Sequence, residues 1–436
     1  MESKKVLNKI FDFFVKSNDF NGIPITTLST QTNIEYLELI ENLKELVKEL
    51  KISVQNNINP HIIHVKHYNI EKQLIILEEA KSNKTTKISE HINISFDSHL
   101  VCVYPSTNYL KEFRNISNYK NAPFTCDLAL GEPQLKPYYF NIEILDKYIK
   151  DPRYSFKFED YSGEICYTED ENNIPLVDDE DQIFLKTFGL GLNINEERVI
   201  VVYLRYLKGL TEEHQKYWKS KEVKIDCTML YEYHENTMNG NFTNSISVFS
   251  GFIAEQKALN ELAYGIFDNL LFNKTFENEK RPKEFTFFFI PTLKNYHDFV
   301  LLLDKMISDN INKKFFSEQN VELFELKEIE DKIFERTNKG TLRLLEEWLL
   351  DKYKVDEKDL IKKLIKPLKK IRDERQSPAH RINENVYDKI YIEKQKELMQ
   401  ETYFTMRTLR QIFERHPKSK LVEIEKWIDE VEIKNF

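Results

Sequence analysis

The stretch Ile371-Arg-Asp-Glu-Arg-Gln-Ser-Pro-Ala-His380 marks the junction of two predicted helices. Upstream of it, Leu364, Leu368 and Ile371 are spaced by four and three residues, which places apolar side chains on one face of a helix. Ser377-Pro378 is typical of a helix start, because a serine hydroxyl caps free N–H groups and proline fits the first helical position. The stretch therefore predicts that one helix ends and another begins here.

Two side chains of this stretch can take part in chemistry. Arg375 follows Ile371 by four residues and leaves the buried side of the helix at its end. A cation there needs a cleft, a carboxylate or a second subunit. His380 falls in the first turn of the next helix, where free N–H groups and the helix dipole favour anions and lower the pKa of an imidazole. A neutral imidazole beside an anion-binding helix start suits general-base chemistry.

The chain around this junction is predicted to be helical and basic. Residues 341–436 contain 22 Lys and Arg against 19 Asp and Glu, in a chain whose net charge is −9. Residues 359–381 contain eight Lys and Arg against three Asp and Glu, a net charge of +5. Such a segment suits a polyanionic substrate, although a solvated lysine face is the alternative. Apolar stripes without any strand-like run predict a bundle of helices over residues 342–353, 360–375, 386–413 and 421–431.

An Arg, four intervening residues and a His at a helix junction resemble the signature of HEPN-domain ribonucleases, which uses an Arg, four to six residues and a His. The resemblance implies that residues 326–436 form an all-helical domain that dimerises and cleaves RNA without a metal or other cofactor. It implies that His380 helps to deprotonate the ribose 2′-hydroxyl or to protonate the leaving 5′-oxygen. Arg375 would bind the scissile phosphate and stabilise charge in the transition state. The expected substrate-binding residues are Lys369, Lys370, Arg372 and Arg381.

The first 95 residues predict a winged helix. Apolar stripes indicate helices over residues 6–16, 23–33 and 34–50, and strand-like runs at residues 51–54 and 61–65 are joined by a loop. Three helices followed by a hairpin resemble a winged helix-turn-helix. The third helix contains five Glu against two Lys, whereas a helix that enters a DNA groove needs cations. This charge favours protein–protein packing, and DNA binding stays the alternative.

Residues 96–325 predict a mixed α/β domain. Amphipathic runs over residues 254–272 and 295–311 predict helices that pack on a sheet, and Gly189-Leu190-Gly191 is interpreted as a turn. No reactive cluster is recognisable, so this domain is expected to sense a ligand or bind a protein partner. Runs rich in aromatic and β-branched residues predict strands at residues 100–104, 138–142, 154–158, 164–167, 199–203, 245–249 and 285–290.

Composition narrows the class of protein. A chain of 436 residues, with 41% hydrophobic and 31% charged residues, is expected to be an α+β multidomain protein. Ten glycines and the lack of P-loop or Rossmann motifs argue against a glycine-rich nucleotide-binding fold. Neither a signal sequence nor a membrane span is recognisable, and the four cysteines are widely spaced, which predicts a cytoplasmic protein. No metal site or cofactor is predicted.

Two functions fit these patterns. The favoured hypothesis is a metal-independent endoribonuclease, by resemblance a toxin or antiphage-defence effector. The alternative is a non-enzymatic regulatory protein, in which the winged helix binds DNA or a partner and the helical bundle only dimerises. Exposure of Arg375 and His380 in one basic cleft would favour the enzyme, whereas burial of His380 against its own subunit would favour the alternative.

Overall fold

A computed structural model describes residues 2–17, 20–56, 68–82, 85–86, 96–97, 101–112, 119–330, 333–353, 358–376 and 384–434. Its helices are α1 (Glu2–Lys16), α2 (Ile25–Thr32), α3 (Tyr36–Lys48), α4 (Ile70–Ala80), α5 (Thr107–Glu112), α6 (Pro123–Ala129), α7 (Asp146–Lys150), α8 (Leu204–Leu207), α9 (Glu212–Ser220), α10 (Tyr231–His234), α11 (Val248–Phe267), α12 (Leu293–Met306), α13 (Lys313–Glu318), α14 (Thr341–Lys352), α15 (Lys358–Gln376), α16 (Ile390–Glu414) and α17 (Trp427–Glu430). Its strands are β1 (Ile23–Pro24), β2 (Ile52–Asn56), β3 (Thr85–Thr86), β4 (Phe96–Asp97), β5 (Val101–Pro105), β6 (Pro137–Asn141), β7 (Tyr154–Glu159), β8 (Ser162–Tyr167), β9 (Phe184–Asn193), β10 (Arg198–Tyr203), β11 (Cys227–Met229), β12 (Ser245–Ser247), β13 (Phe324–Glu330), β14 (Ile333–Asn338) and β15 (Glu432–Lys434). The predicted mixture of helix and strand, with a helical C-terminal region, is confirmed.

Packing divides the chain into two compact units. The first contains residues 1–141 and 165–227, and the second contains residues 142–164 and 228–436. The predicted division into three domains, with boundaries after residues 95 and 325, is finer and stays a prediction. Among the helices of the described ranges, none has the length and apolar character needed to cross a membrane.

The N-terminal part of the first unit is a group of helices closed by a small sheet. β5 lies between β1 and β2 and pairs with both in antiparallel fashion. The apolar faces predicted for α1, α2 and α3 meet in one core, which contains Ile10, Leu28, Leu39 and Leu43. The strand predicted at residues 61–65 lies outside the described residues. The winged-helix assignment stays a prediction.

The rest of the first unit contains an antiparallel sheet in which β10 lies between β6 and β9. Trp218 of α9 is fully buried against Phe140 of β6, with ring centroids 5.0 Å apart. The interpretation of Gly189-Leu190-Gly191 as a turn is wrong, because both glycines lie inside β9 opposite Val201 and Val199. Pairing with β10 supplies the backbone hydrogen bonds that keep this segment extended despite the weak strand preference of glycine.

The second unit is built around α11, which is buried along most of its length. α16 packs along α11, and α15 packs against α12, α14 and α16. Because α11 and α12 precede residue 326, the helical group takes in more of the chain than the C-terminal quarter. Buried apolar side chains of α11 and α16 include Phe252, Leu259, Met399, Met406 and Phe413.

Residues 285–290 form a loop, so the strand predicted there is wrong. The alternate phenylalanines of this loop are buried, which explains the strand-like pattern. The side-chain amide of Gln395 donates to the Thr286 carbonyl at 2.9 Å and accepts from the Phe288 amide at 3.1 Å. A side chain thus supplies hydrogen bonds that a neighbouring strand would otherwise provide.

The C-terminal region is mainly helical, but the prediction that it is all-helical is wrong. β13 and β14 form an antiparallel hairpin before α14, and β15 pairs in parallel with β12. The helix predicted over residues 421–431 is reduced to a 3₁₀ turn at Pro417–Leu421 and the four-residue α17. Short isolated helices are unstable, and the edge of β12 offers the last residues backbone partners instead.

Candidate functional site

α15 carries the described part of the predicted motif. Ile365, Leu368 and Ile371 are buried at helical spacing and hold α15 against its neighbours. Leu364 is only half-buried, so the register is slightly rotated from the predicted one. The structure describes α15 through Gln376, and the predicted end of this helix stays a prediction, because the next residues lie outside the described ranges.

Arg372 and Arg375 both extend toward the C-terminal end of α12. Nη1 of Arg372 donates to Asp304 Oδ2 at 3.2 Å and to Asp309 Oδ1 at 2.9 Å. Nη1 of Arg375 donates to Asp309 Oδ2 at 2.7 Å and to Asp304 Oδ2. The Ser308 hydroxyl accepts from Arg372 at 2.9 Å and donates to Asp304 Oδ1. A cleft, a carboxylate or a second subunit was expected beside Arg375, and the structure shows carboxylates there, those of Asp304 and Asp309.

The two carboxylates differ in exposure. The side chain of Asp304 is 1% exposed, whereas that of Asp309 is 40% exposed. Hydrogen bonds to Asp304 and Asp309 raise the pKa of Arg375. Burial raises the pKa of the Asp309 carboxyl, but hydrogen bonds from Arg375 and Arg372 outweigh burial and leave that pKa below its ordinary value. Arg375 and Asp309 are therefore both charged at neutral pH.

Each guanidinium keeps unused donors. Arginine has five N–H donors in a planar fork, and the carboxylates occupy only Nη1 of Arg372 and of Arg375. Within the part of the chain that the structure describes, Nε and Nη2 of both residues make no hydrogen bond. The side chains are 40% and 29% exposed, respectively. An Nε–Nη2 edge can bind a phosphate or carboxylate through two parallel hydrogen bonds.

The lysines predicted to bind substrate are ion-paired as well. Lys369 contacts Glu346 of α14 at 2.7 Å. Lys370 contacts Glu397 and Glu401 of α16 at 2.9 and 3.2 Å. Together with the two aspartates, five carboxylates face the four described cations of the site. The positive charge expected from residues 359–381 is therefore cancelled locally, which weakens long-range attraction of a polyanion.

An aromatic pair lies beside the arginines. The Tyr296 hydroxyl donates to Glu374, and its ring stacks on that of Tyr391, with centroids 5.5 Å apart and planes at 28°. Nζ of Lys394 lies 5.7 and 5.6 Å from the two ring centroids. Burial raises the pKa of Tyr296, and the hydrogen bond to Glu374 acts in the same direction. Tyr296 therefore stays a hydrogen-bond donor that fixes Glu374, rather than a source of protons.

His380 and Arg381, the predicted catalytic and substrate-binding residues that follow α15, lie outside the described residues. After this segment the chain contacts the start of α12, where the Leu293 amide donates to the Val386 carbonyl at 2.9 Å. α16 begins at Ile390, four residues later than predicted. Backbone pairing with α12 keeps the intervening residues out of the helix.

Sequence patterns alone do not identify Asp304 and Asp309 as partners of the arginines. Asp304 carries one local signal, because it follows Val300 by four residues and so falls on the buried face of α12. A carboxylate in that position needs a partner. Arg372 and Arg375 lie 68 and 71 positions further along the chain, so only the tertiary structure identifies them as that partner.

A second Arg–His spacing of the same kind begins in α16 and ends just after it. Arg410 and His416 are separated by five residues, but the Arg410 side chain is fully buried. Its nitrogens are bonded to Glu255, Glu414 and Asp429. Arg410 therefore has no unbonded N–H edge that could bind a ligand, whereas Arg375 has one.

The second unit also contains a cleft of about 600 Å³ on the outer side of α12. Its walls include Phe287, Phe288 and Phe289, and Lys294 and Lys305 also line it. The volume and aromatic lining are those of a small-molecule pocket.

Comparisons with known proteins identified no relative of this chain. No protein-family model, curated protein or solved structure matches the chain.

Proposed function

We propose that the protein is a metal-independent endoribonuclease whose reactive groups are Arg375 and His380. The arrangement of Arg372 and Arg375 supports this proposal: carboxylates anchor both through Nη1, and the Nε–Nη2 edges stay unbonded within the described ranges. An anchored guanidinium with an unbonded edge matches the geometry of a phosphate. A preorganised cation also stabilises transition-state charge without reorganisation during the reaction.

In the proposed reaction the RNA supplies its own nucleophile. His380 takes the proton of a ribose 2′-hydroxyl, and the 2′-oxygen attacks the adjacent phosphorus atom. The bond from phosphorus to the 5′-oxygen breaks, and this oxygen takes a proton. The products are a 2′,3′-cyclic phosphate and a 5′-hydroxyl. Arg375 stabilises the charge on the non-bridging oxygens, and Arg372 and Arg381 are proposed to bind flanking phosphates. Lys369 and Lys370, which were also predicted to bind substrate, would do so only by leaving their carboxylates.

The roles proposed for the rest of the chain follow from the resemblances to a HEPN domain and to a winged helix, and from the sequence pattern of the middle region. The helical region would be a HEPN-like domain whose homodimer brings two Arg–His motifs into one cleft. The N-terminal part would be a winged helix that binds a protein partner, and the middle region would sense a ligand or partner. In this proposal the protein acts in the cytoplasm as a toxin or antiphage-defence effector.

A non-enzymatic interaction protein is the second candidate. The ion pairing of Lys369, Lys370, Arg372 and Arg375 favours it, because RNA must compete with five carboxylates for these cations. The helical group would then only dimerise, and the N-terminal region would bind DNA or a protein.

The test is cleavage of total RNA in the presence of EDTA by the wild type and by His380→Ala. We expect wild-type fragments to end in 2′,3′-cyclic phosphates and His380→Ala to be slower by about 10²-fold or more. His416→Ala is the matched control, since Arg410 at the corresponding position is buried and fully bonded. Equal cleavage by the wild type and His380→Ala would remove the catalytic assignment. No cleavage by the wild type would favour the interaction protein.

A further inference from the structure

We infer that Asp304 is a positioning residue, which holds Arg375 in the orientation that binds the scissile phosphate and Arg372 in the orientation that binds a flanking phosphate. The inference rests on the proposed ribonuclease activity. Asp304 itself would not touch the RNA, because its side chain is 1% exposed. Its effect would pass through the two arginines.

The carboxylate of Asp304 is held on both oxygens. Oδ2 accepts hydrogen bonds from Nη1 of Arg372 and of Arg375, and Oδ1 accepts one from the Ser308 hydroxyl. The residue lies on the buried face of α12, next to the buried Leu303. A group fixed on a rigid helix is suited to orienting a site.

The contact orients the arginines without blocking them. A carboxylate that competes with phosphate takes the Nε and Nη2 donors together, as Asp151 does with Arg153 at 3.1 and 2.7 Å. Asp304 instead contacts only Nη1 of Arg375 and Arg372. Their outer edges therefore point away from the carboxylate that anchors them.

The kinetic test compares wild type, Asp304→Asn, Arg375→Ala and the double variant on a fluorescein-labelled single-stranded RNA in EDTA. We expect Asp304→Asn to lower kcat by about 10- to 100-fold and to change KM by less than about twofold, since orientation matters most in the transition state. The loss in the double variant should be smaller than the product of the two single losses, because Asp304 acts in part through Arg375. Wild-type kcat in Asp304→Asn, or losses that multiply in the double variant, would overturn the inference.

The control for a purely structural effect is Glu255→Gln. Glu255 is also a carboxylate with 1% exposure that binds an arginine of the same unit, but it lies at Arg410. Both variants should unfold at a lower temperature than the wild type, and only Asp304→Asn should cleave more slowly below that temperature. Equal slowing in both variants would assign Asp304 a structural role alone.

A second measurement separates this inference from the proposed function. Phenylglyoxal modifies accessible arginine side chains, and mass spectrometry reports the rate for the peptides that contain Arg372 and Arg375. We expect both rates to rise at least about twofold in Asp304→Asn and to stay unchanged in Glu255→Gln, because an ion-paired guanidinium is less reactive. If the wild type fails to cleave RNA, the ribonuclease proposal is wrong, and these rates alone decide whether Asp304 holds the arginines. Unchanged rates in Asp304→Asn would overturn the inference even for an active enzyme.

Discussion

Arg410 and Glu255 form an ion pair in the core of the second unit, although they are 155 positions apart in the sequence. Their side chains are 0% and 1% exposed, and Nε of Arg410 lies 2.5 Å from Oε2 of Glu255. The other nitrogens of Arg410 reach Glu414 and Asp429. The pair joins α16 to α11, the two helices with the most extensive packing in the unit.

Removing Glu255 leaves the buried Nε of Arg410 without its partner and the charge of Arg410 balanced only by the more exposed Glu414 and Asp429. We expect Glu255→Ala to lower the free energy of unfolding by about 3–5 kcal/mol, and the double variant Glu255→Leu with Arg410→Met to lose much less. Urea denaturation measures both. Lys157→Ala is the control, because its partner Glu164 is half exposed and such pairs contribute at most about 1 kcal/mol. Similar losses in Glu255→Ala and Lys157→Ala would contradict the prediction.

Asp309 is expected to make the stability of the second unit sensitive to acid. Burial raises the pKa of its carboxyl, but hydrogen bonds from Arg375 and Arg372 outweigh burial and lower it. A carboxyl with a depressed pKa stabilises the fold above its unfolded pKa of about 3.9, and this stabilisation is lost as the pH falls through the folded value. Asp309→Asn should therefore be less stable than the wild type at pH 7 and approach it below about pH 3.

Urea denaturation between neutral and acidic pH measures this difference for Asp309→Asn. Asp298→Asn is the control, since Asp298 is an exposed aspartate on the other side of α12. A stability difference between the wild type and Asp309→Asn that stays constant with pH would show that the ion pairs contribute nothing through ionisation.

Trp348 fills an aromatic space in the second unit. Its ring centroid lies 5.5, 5.1 and 5.4 Å from those of Phe267, Phe315 and Phe413. Its indole N–H is buried without a hydrogen-bond partner in the described part of the chain. We expect Trp348→Ala to cost about 3–5 kcal/mol, and Trp348→Phe less, because loss of an unpaired donor returns about 1–3 kcal/mol. Thermal unfolding measures the loss of stability in each variant, and Trp427→Phe on the surface is the control. Equal losses of stability for Trp348→Phe and Trp348→Ala would contradict the prediction.

RNA binding is expected to depend only weakly on salt. Of the described residues predicted to bind RNA, Lys369 and Lys370 are ion-paired, which leaves the donors of Arg372 and Arg375 for phosphate. Each phosphate contact to a single strand contributes about −0.7 to the slope of log K against log salt concentration, which gives about −1.4, or about −2.1 if Arg381 adds a contact. Fluorescence anisotropy with a non-cleavable 2′-O-methyl RNA measures this slope.

The control for this measurement is Lys362→Ala, which removes an exposed lysine from the same helix and should leave the slope unchanged. A slope steeper than about −3 would mean that the lysines leave their carboxylates to bind RNA.

Most helices could be predicted from the sequence because their signal is local. The apolar stripes of α1, α3 and α15 repeat every three or four residues, and most of these residues are buried in the structure, although Leu364 is only half-buried. The prediction of a strand at residues 285–290 was wrong because an alternating sequence pattern indicates only which side chains are buried. Whether an extended segment becomes a strand depends on a pairing partner, and here Gln395 of α16 takes that place.

By itself, the sequence determined that the segment leading to Arg375 is helical and that it carries an excess of positive charge. Only the tertiary structure decided that the charge is neutralised, since the carboxylates facing it lie between 23 and 71 positions away. Local patterns cannot report such pairs, because Coulomb attraction depends on distance in space and not along the chain. The contrast between Arg375 and Arg410 has the same origin: both stand near a histidine in the sequence, but only folding leaves one with an unbonded edge and buries the other.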